Sequence, residues 1–276
     1  MKYEIKELEK MAKRIRLDVM EMVYDVKDGH PGPCFSITEI VTALYFGGII
    51  NVDPENPLWM ERDRFVLSKG HACPAVYSAL ARRGFFPSEE LLTLRKIDSR
   101  IQGHPYIYKT PGIDASTGSL GNGIATAVGM AKGLKIKKDD AFVYTVIGDG
   151  EMNEGIVWEA LMAASHHRLS NLIVFLDNNL WQSGGSIEDI SGLNNLDERV
   201  KTFGWNTISI DGHDYTQIRD AVTAAKAQNS KPNMIVCSTV KGKGLPFTES
   251  DNSWHKRVPT DEQMVIAREI LSGVSK

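Results

Sequence analysis

Apolar residues follow two different spacings along the chain, and each spacing predicts a different kind of element. Near the N-terminus the steps are close to 3.6 residues, which predicts an amphipathic helix. The positions that share this spacing are Ile5, Leu8, Ile15, Val19, Met22 and Val26. Gly29 is expected to end the helix, and the sequence GHPG at Gly29–Gly32 is expected to form a turn.

Two further segments are marked by their residue types. A second helix is predicted to begin at Ser36 or Thr38 and to end at Phe46, and Ser36 with Glu39 matches a capping box. The stretch Asp98–Gly123 is rich in glycine and proline, which disfavours a helix and favours an irregular loop that binds a ligand.

Continuous apolar runs, typical of strands that are buried on both faces, occupy the second half of the chain. They lie at Ala141–Ile147, Asn171–Asp177, Trp205–Ile210 and Met234–Val240. Helical spacing is found between them at Ile156–Arg168 and Tyr215–Gln228, and a shorter strand at Arg64–Ala72 is expected to run into a loop and a helix. Because strands alternate with helices, we expect an α/β fold with a parallel sheet flanked by helices.

The composition is ordinary for a globular protein and argues against several functional classes. The chain has 276 residues, of which 42% are hydrophobic and 24% are charged, and its net charge is −3. We expect one domain over residues 1–276, with residues 241–276 as a C-terminal extension. The weak negative charge argues against binding to nucleic acid or to an anionic membrane. No apolar run reaches the roughly 18 residues that a membrane-spanning helix needs.

The cysteines and the N-terminus predict a cytoplasmic location. Cys34, Cys73 and Cys237 share no close spacing, so neither a disulfide framework nor a zinc site is expected. The first residues carry charge throughout and lack the apolar core of a signal peptide.

The clearest chemical signal follows the apolar run at Ala141–Ile147. Gly148, Asp149 and Gly150 stand directly after it, and Asn179 follows the next predicted strand. Ligands of open α/β sheets bind beyond the carboxyl ends of the strands, so these side chains are expected to share one site. The chain has no phosphate loop of the G-x-x-x-x-G-K-[S/T] type, and GDGEMN lacks the third glycine of a dinucleotide fingerprint.

The residue types at this site suit Mg²⁺ with a diphosphate. Mg²⁺ prefers about six oxygen ligands and usually takes only one or two carboxylates together with phosphate oxygens. Asp149 offers a carboxylate oxygen, Asn179 an amide oxygen and Trp181 a backbone carbonyl. Gly150 allows the backbone to approach a phosphate closely. The alternative is that Asp149 and Asn179 are only turn formers.

The motifs in this chain resemble those of a known family. GDGEMNEG, followed by two asparagines 29 residues after Asp149, is similar to the thiamine diphosphate signature. Five further motifs match the transketolase family in the same order: GHPG (Gly29–Gly32), SKGHA (Ser68–Ala72), GHP (Gly103–Pro105), TGSLGNGI (Thr117–Ile124) and WHK (Trp254–Lys256). The resemblance covers nearly the whole chain, whereas a complete transketolase is more than twice as long.

The resemblance therefore implies the N-terminal, thiamine diphosphate-binding subunit of a split transketolase. It implies a ketol transfer that depends on thiamine diphosphate and Mg²⁺, or Ca²⁺ or Mn²⁺ in its place, and moves a two-carbon unit from a ketose phosphate to an aldose. The expected partner is a C-terminal subunit with the pyrimidine-binding domain, in a heterotetramer. The alternatives are a subunit of a deoxyxylulose-phosphate synthase-like or 2-oxoacid dehydrogenase-like enzyme, and a scaffold that binds Mg²⁺ and diphosphate without catalysis.

The resemblance also implies roles for individual residues. The catalytic set is His30, His71, His104, His255 and Glu154. The cofactor-binding set is His71, Gly118, Leu120, Asp149, Gly150, Glu154 and Asn179, and the metal ligands are Asp149, Asn179 and the Trp181 carbonyl. Imidazoles suit proton transfer because their ordinary pKa lies near 6.5. The alternative for Glu154 is a carboxylate that stabilises a helix N-terminus, and His213 is given a structural role.

Overall fold

The computed structural model describes residues 4–249 and 251–272, so the two ends of the predicted domain lie outside the described residues. The helices are α1 (Ile5–Val26), α2 (Pro31–Ser36), α3 (Thr38–Phe46), α4 (Cys73–Arg83), α5 (Asn122–Lys137), α6 (Gly155–His166), α7 (Ile187–Ile190), α8 (Leu196–Thr202), α9 (Tyr215–Ala227) and α10 (Asp261–Ser272). The strands are β1 (Arg64–Leu67), β2 (Val143–Gly148), β3 (Leu172–Asn178), β4 (Trp181–Gln182), β5 (Gly185–Ser186), β6 (Asn206–Asp211) and β7 (Asn233–Ser238).

A five-stranded parallel sheet forms the centre of the fold, in the order β1-β2-β3-β7-β6. Successive side chains of β2 point to opposite faces. Tyr144 and Val146 join the hydrophobic core that includes α1, α3, α4 and α9, while Val143 and Ile147 join the core that includes α5, α6 and α8. Both faces are therefore covered by helices, and the predicted fold class is confirmed.

The second predicted helix is confirmed as α3, whereas the end of α1, the GHPG segment and the capping box at Ser36 differ from their predictions. The helix α1 already ends at Val26, because Lys27 adopts a left-handed backbone (φ 55°). The second half of the predicted turn is helical instead, because α2 begins at Pro31 and ends at Ser36. The predicted capping box does not form, because the Ser36 hydroxyl donates to Asp177 at 2.7 Å and the Glu39 carboxylate binds Arg16.

The helix α10 was not predicted, because the segment after Val240 is rich in glycine and charge. Met264, Ala267 and Leu271 are spaced to bury one face of this helix. Tyr24 on α1 donates a 2.6 Å hydrogen bond to Asp261, so the C-terminal segment folds back onto the first helix. None of the helices in the described part of the chain combines the length and apolar character that crossing a membrane requires.

Candidate active site at the carboxyl ends of the strands

A cavity of about 300 Å³ opens at the carboxyl ends of β1, β2 and β3. It brings together ten of the eleven site residues that the sequence predicts: His30, His71, His104, Gly118, Leu120, Asp149, Gly150, Asn179, Trp181 and His255. Their sequence positions span more than two hundred residues, so the sheet and its loops bring them together. Glu154 does not line this cavity.

The loop after β2 is held against the loop after β3. Gly148 lies opposite Asp177 in the sheet register, which brings the two strand ends side by side. The Asp149 carboxylate accepts hydrogen bonds from the backbone N–H of Gly150 (2.7 Å) and of Leu180 (2.5 Å). The Asn179 Oδ1 accepts the N–H of Trp181 at 3.0 Å. The two predicted metal-ligand loops are therefore bonded directly to each other.

Asp149 lies where a positive charge would be favourable. Its exposed fraction is 1%, and burial, followed by the charge of nearby Asp177, raises the pKa of Asp149 to about 7. In the described part of the chain, no group of three His, Cys, Asp or Glu side chains is placed to hold a metal. A single carboxylate with an amide and a carbonyl oxygen fits Mg²⁺ that takes its remaining ligands from phosphate and water.

Two buried lysines line the cavity, and neither was singled out in the sequence. Lys69 and Lys241 are 3% and 4% exposed, and Lys69 forms an ion pair with Asp177. The Lys241 Nζ donates to Asn252 at 2.7 Å. Burial and the charge of Lys69 lower the pKa of Lys241 to about 8. Two buried cations in one wall suit an anionic ligand, and Lys69 lies within the SKGHA motif.

Three histidine rings form a cluster at one side of the cavity. The ring centroid of His30 lies 5.3 Å from that of His71 and 5.6 Å from that of His255. Burial is the main cause that lowers the pKa of His30 to about 4 and that of His255 to about 3. The pKa of His71 is also well below its ordinary value, for the same reason. These rings are neutral at pH 7, so each has one nitrogen that donates and one that accepts.

The loop that carries Gly118 and Leu120 approaches the cavity closely. A Cβ added at Gly118 would lie 3.3 Å from the His104 ring, and one at Gly121 would lie 2.4 Å from Ile156. Gly121 also has a left-handed backbone (φ 81°) that favours glycine. Gly118 therefore lets the loop pack against His104 in the cavity wall, and Gly121 lets it pack against α6.

A buried glutamate that the sequence analysis did not select joins three of the motifs. The Glu151 carboxylate accepts hydrogen bonds from the Ser68 hydroxyl (2.5 Å), the Gly121 N–H (2.7 Å) and the Gly148 N–H (3.1 Å). Burial raises the pKa of Glu151. The only sequence signal for it is its place within GDGEMNEG.

Glu154 occupies the N-cap position of α6, and its side chain makes no capping hydrogen bond. It is exposed and stands beside the Gly121 loop. Glu154 is therefore accessible to solvent next to the loop that borders the cavity.

Comparison with known proteins decides the family. Residues 8–273 match the family described as "Transketolase, thiamine diphosphate binding domain". The chain belongs to the transketolase family. It is 44% identical to the 6-deoxy-6-sulfo-D-fructose transketolase subunit SqwG of Clostridium sp. (strain MSTE9), over 93% of each chain. It is 38% identical to an apulose-4-phosphate transketolase subunit of Phocaeicola vulgatus, over 99% of this chain and 97% of the relative.

Solved transketolases share the fold. The Campylobacter jejuni enzyme superposes with a TM-score of 0.91 and 33% identity, over 98% of this chain and 43% of that chain. The chain thus spans less than half the length of this solved transketolase. The prediction of a transketolase subunit that carries out thiamine diphosphate-dependent ketol transfer with a partner is confirmed.

Proposed function

We propose that the cavity holds the diphosphate of thiamine diphosphate through Mg²⁺, or Ca²⁺ or Mn²⁺ in its place. The observation that carries this proposal is the pairing of the Asp149 and Asn179 loops beside two buried lysines. Asp149, Asn179 and the Trp181 carbonyl would bind the cation. Gly150, Lys69 and Lys241 would bind phosphate oxygens. When bound, the cofactor supplies the carbanion and electron sink that cleave a ketose carbon–carbon bond.

The histidines would act on the sugar. His30, His104 and His255 would donate or accept hydrogen bonds and protons at the hydroxyl and carbonyl groups of the substrate, and His71 would also contact the diphosphate. Neutral imidazoles suit this work at pH 7 because each can accept a proton at one ring nitrogen and donate a hydrogen bond from the other. Gly118 and Leu120 would face the aminopyrimidine ring of the cofactor.

We place the missing part of the site on a second chain. A C-terminal subunit with the pyrimidine-binding domain would cover the open side of the cavity, and Glu154, exposed at the start of α6, would relay protons across that contact. Two copies of each subunit would form a heterotetramer. In this scheme residues 1–276 are a single domain, with residues 241–276 as the extension that carries His255.

Two further observations support proposals for the substrate class and for the location of the protein. We propose a ketose phosphate as donor and an aldose as acceptor. The Clostridium and Phocaeicola relatives act, by their names, on a sulfonated and a phosphorylated sugar, which supports an anionic substrate. Three free, buried cysteines support a cytoplasmic location, where thiols stay reduced.

The test is a reconstitution. The chain is purified alone and together with the subunit that carries the pyrimidine-binding domain, and ketol transfer is assayed with Mg²⁺ and thiamine diphosphate. We expect activity only in the mixture, with a mass equal to two copies of each chain. Full activity of the lone chain would refute the two-chain proposal. A mixture that binds the cofactor but transfers no ketol group would indicate a scaffold.

A further inference from the structure

Asp177 is a fully buried carboxylate at the end of β3 that none of the proposed ligand or catalytic roles explains. Its exposed fraction is 0%. Its Oδ2 accepts hydrogen bonds from the Ser36 hydroxyl (2.7 Å) and from the Asn179 Nδ2 (2.9 Å), and it also binds the Lys69 ammonium. Its Oδ1 accepts a hydrogen bond from the Thr239 hydroxyl. Both oxygens are therefore satisfied by protein groups alone.

Each of the four partners belongs to a different segment of the cavity wall. Ser36 ends α2, the helix that follows His30. Lys69 lies between β1 and α4, two residues before His71. Thr239 stands two residues before Lys241, and Asn179 is a proposed metal ligand. One carboxylate therefore connects the segments that carry Asn179, Lys69 and Lys241 with the helix that follows His30.

The contact with Asn179 fixes which end of the amide faces the cation site. A carboxylate only accepts hydrogen bonds, so the NH₂ end of the Asn179 side chain must face Asp177. The Oδ1 end is then turned away from Asp177, where it already accepts the Trp181 N–H. A flipped amide would place its oxygen against the Asp177 oxygen, which is repulsive in a buried place.

The charge of Asp177 is balanced within the same group. Burial acts to raise the pKa of Asp177, but the charge of Lys69 and the donated hydrogen bonds outweigh it, and the pKa is lowered. Asp177 and Lys69 therefore form a buried ion pair at the wall of the cavity.

We propose that Asp177 is a positioning residue, which presents the Asn179 amide oxygen to the cation and the Lys69 ammonium to the diphosphate. It touches neither the cation nor the cofactor itself. This inference rests on the proposed function, because it needs Asn179 to be a metal ligand. Partners that orient metal ligands typically change metal affinity by roughly 10- to 100-fold when they are removed.

Asp63 provides a matched control. It is a buried carboxylate, 4% exposed, at the opposite end of the sheet. It accepts the N–H groups of Asn51 and Phe142, each at 2.8 Å. Asp63→Asn removes the same charge as Asp177→Asn, far from the cavity, so it reports the effect of losing any buried carboxylate.

The experiment uses the full chain, with Mg²⁺ and inorganic pyrophosphate as the probe and calorimetry as the readout. Thermal unfolding shows whether each variant is folded. We expect Asp177→Asn to weaken Mg²⁺ binding in the presence of pyrophosphate by roughly 10- to 100-fold. Asp63→Asn should lower the unfolding temperature and leave the binding within about twofold of the original chain.

A second variant tests the same proposal if Asp177→Asn does not fold. Asp177→Glu keeps the charge that pairs with Lys69 but displaces the oxygens that orient Asn179, so it should fold and show the same loss of Mg²⁺ affinity. Unchanged Mg²⁺ affinity in either folded variant would overturn the positioning role. If the original chain itself binds no magnesium pyrophosphate, the proposed function fails instead.

Discussion

His213 and Glu39 form a largely buried hydrogen bond of 2.8 Å between the ring Nδ1 and the carboxylate Oε2. The other ring nitrogen, Nε2, accepts the N–H of Val240 at 2.9 Å. Because Nε2 accepts, the hydrogen of the neutral ring must be on Nδ1, where it is donated to Glu39. Arg16 donates to both oxygens of the same carboxylate. The network links α1, α3 and the segment that leads to Lys241.

Replacing Glu39 should destabilise the fold. Burial acts to raise the pKa of Glu39, but Arg16 and His213 lower it to about 2, so the carboxylate is ionised and paired at pH 7. Glu39→Gln leaves the Arg16 charge buried without a partner, which typically costs about 3–5 kcal/mol of unfolding free energy. Urea unfolding at pH 7 measures this, with Glu159→Gln on the exposed face of α6 as the control. A loss of unfolding free energy no larger than that of Glu159→Gln would show that the network contributes little to stability.

The Asp149 carboxylate should decide metal-dependent cofactor binding. Asp149→Ala removes the proposed acidic ligand, so we expect Mg²⁺-dependent binding of thiamine diphosphate to disappear while the chain stays folded. The raised pKa shows that burial disfavours the ionised Asp149 carboxylate. This offsets part of the loss of its hydrogen bonds from Gly150 and Leu180, so the variant should stay folded. Calorimetry measures the binding, and Asp140→Ala, at an exposed position before the start of β2, serves as the control. Binding that persists in Asp149→Ala would remove the metal assignment.

His104 and His255 should contribute to rate more than to cofactor affinity. In the complex with the partner chain, His104→Ala and His255→Ala are each expected to lower kcat by roughly 10²–10⁴-fold, as for loss of a proton-transfer group. The affinity for thiamine diphosphate should stay near its original value. His166→Ala, at an exposed position in the last turn of α6, is the matched control and should leave kcat unchanged. A kcat equal to the control's would exclude these imidazoles from the chemistry.

Lys241 should make diphosphate binding weaken at high pH. Its pKa is lowered to about 8, so the ammonium is charged below pH 8 and loses its charge as the pH rises above that value. Asp149 is ionised in that range and adds no further change. Affinity for magnesium thiamine diphosphate should fall between pH 8 and 9.5, by no more than about tenfold per pH unit because one proton is involved.

Two substitutions test whether Lys241 itself causes the loss of affinity at high pH. Lys241→Arg keeps its charge at all these pH values and should flatten the profile. Lys243→Arg, a more exposed lysine in the same segment, should keep the original profile. The same decline in Lys241→Arg as in the original chain would assign the pH dependence to another group.

Local patterns in the sequence were enough to place the sheet and most of the cavity. The runs that became β2 and β3 are apolar because both faces of those strands are covered, so burial is already visible in the residue types. The polar residues that follow them, Asp149 and Asn179, were found at the carboxyl ends because parallel strands present those ends together.

The remaining features depend on contacts between residues far apart in the chain. Lys69 and Asp177 are 108 positions apart, and nothing near either residue indicates that one neutralises the other. Ser36 and Glu39 match a local cap, yet both bind partners on other elements because a buried polar group needs its hydrogen bonds satisfied wherever they are available. The sequence alone determined the fold class and which polar residues stand at the carboxyl ends of the strands. Only the tertiary structure decided which buried charges pair and which way each side chain is held, because those choices depend on neighbours that folding brings together.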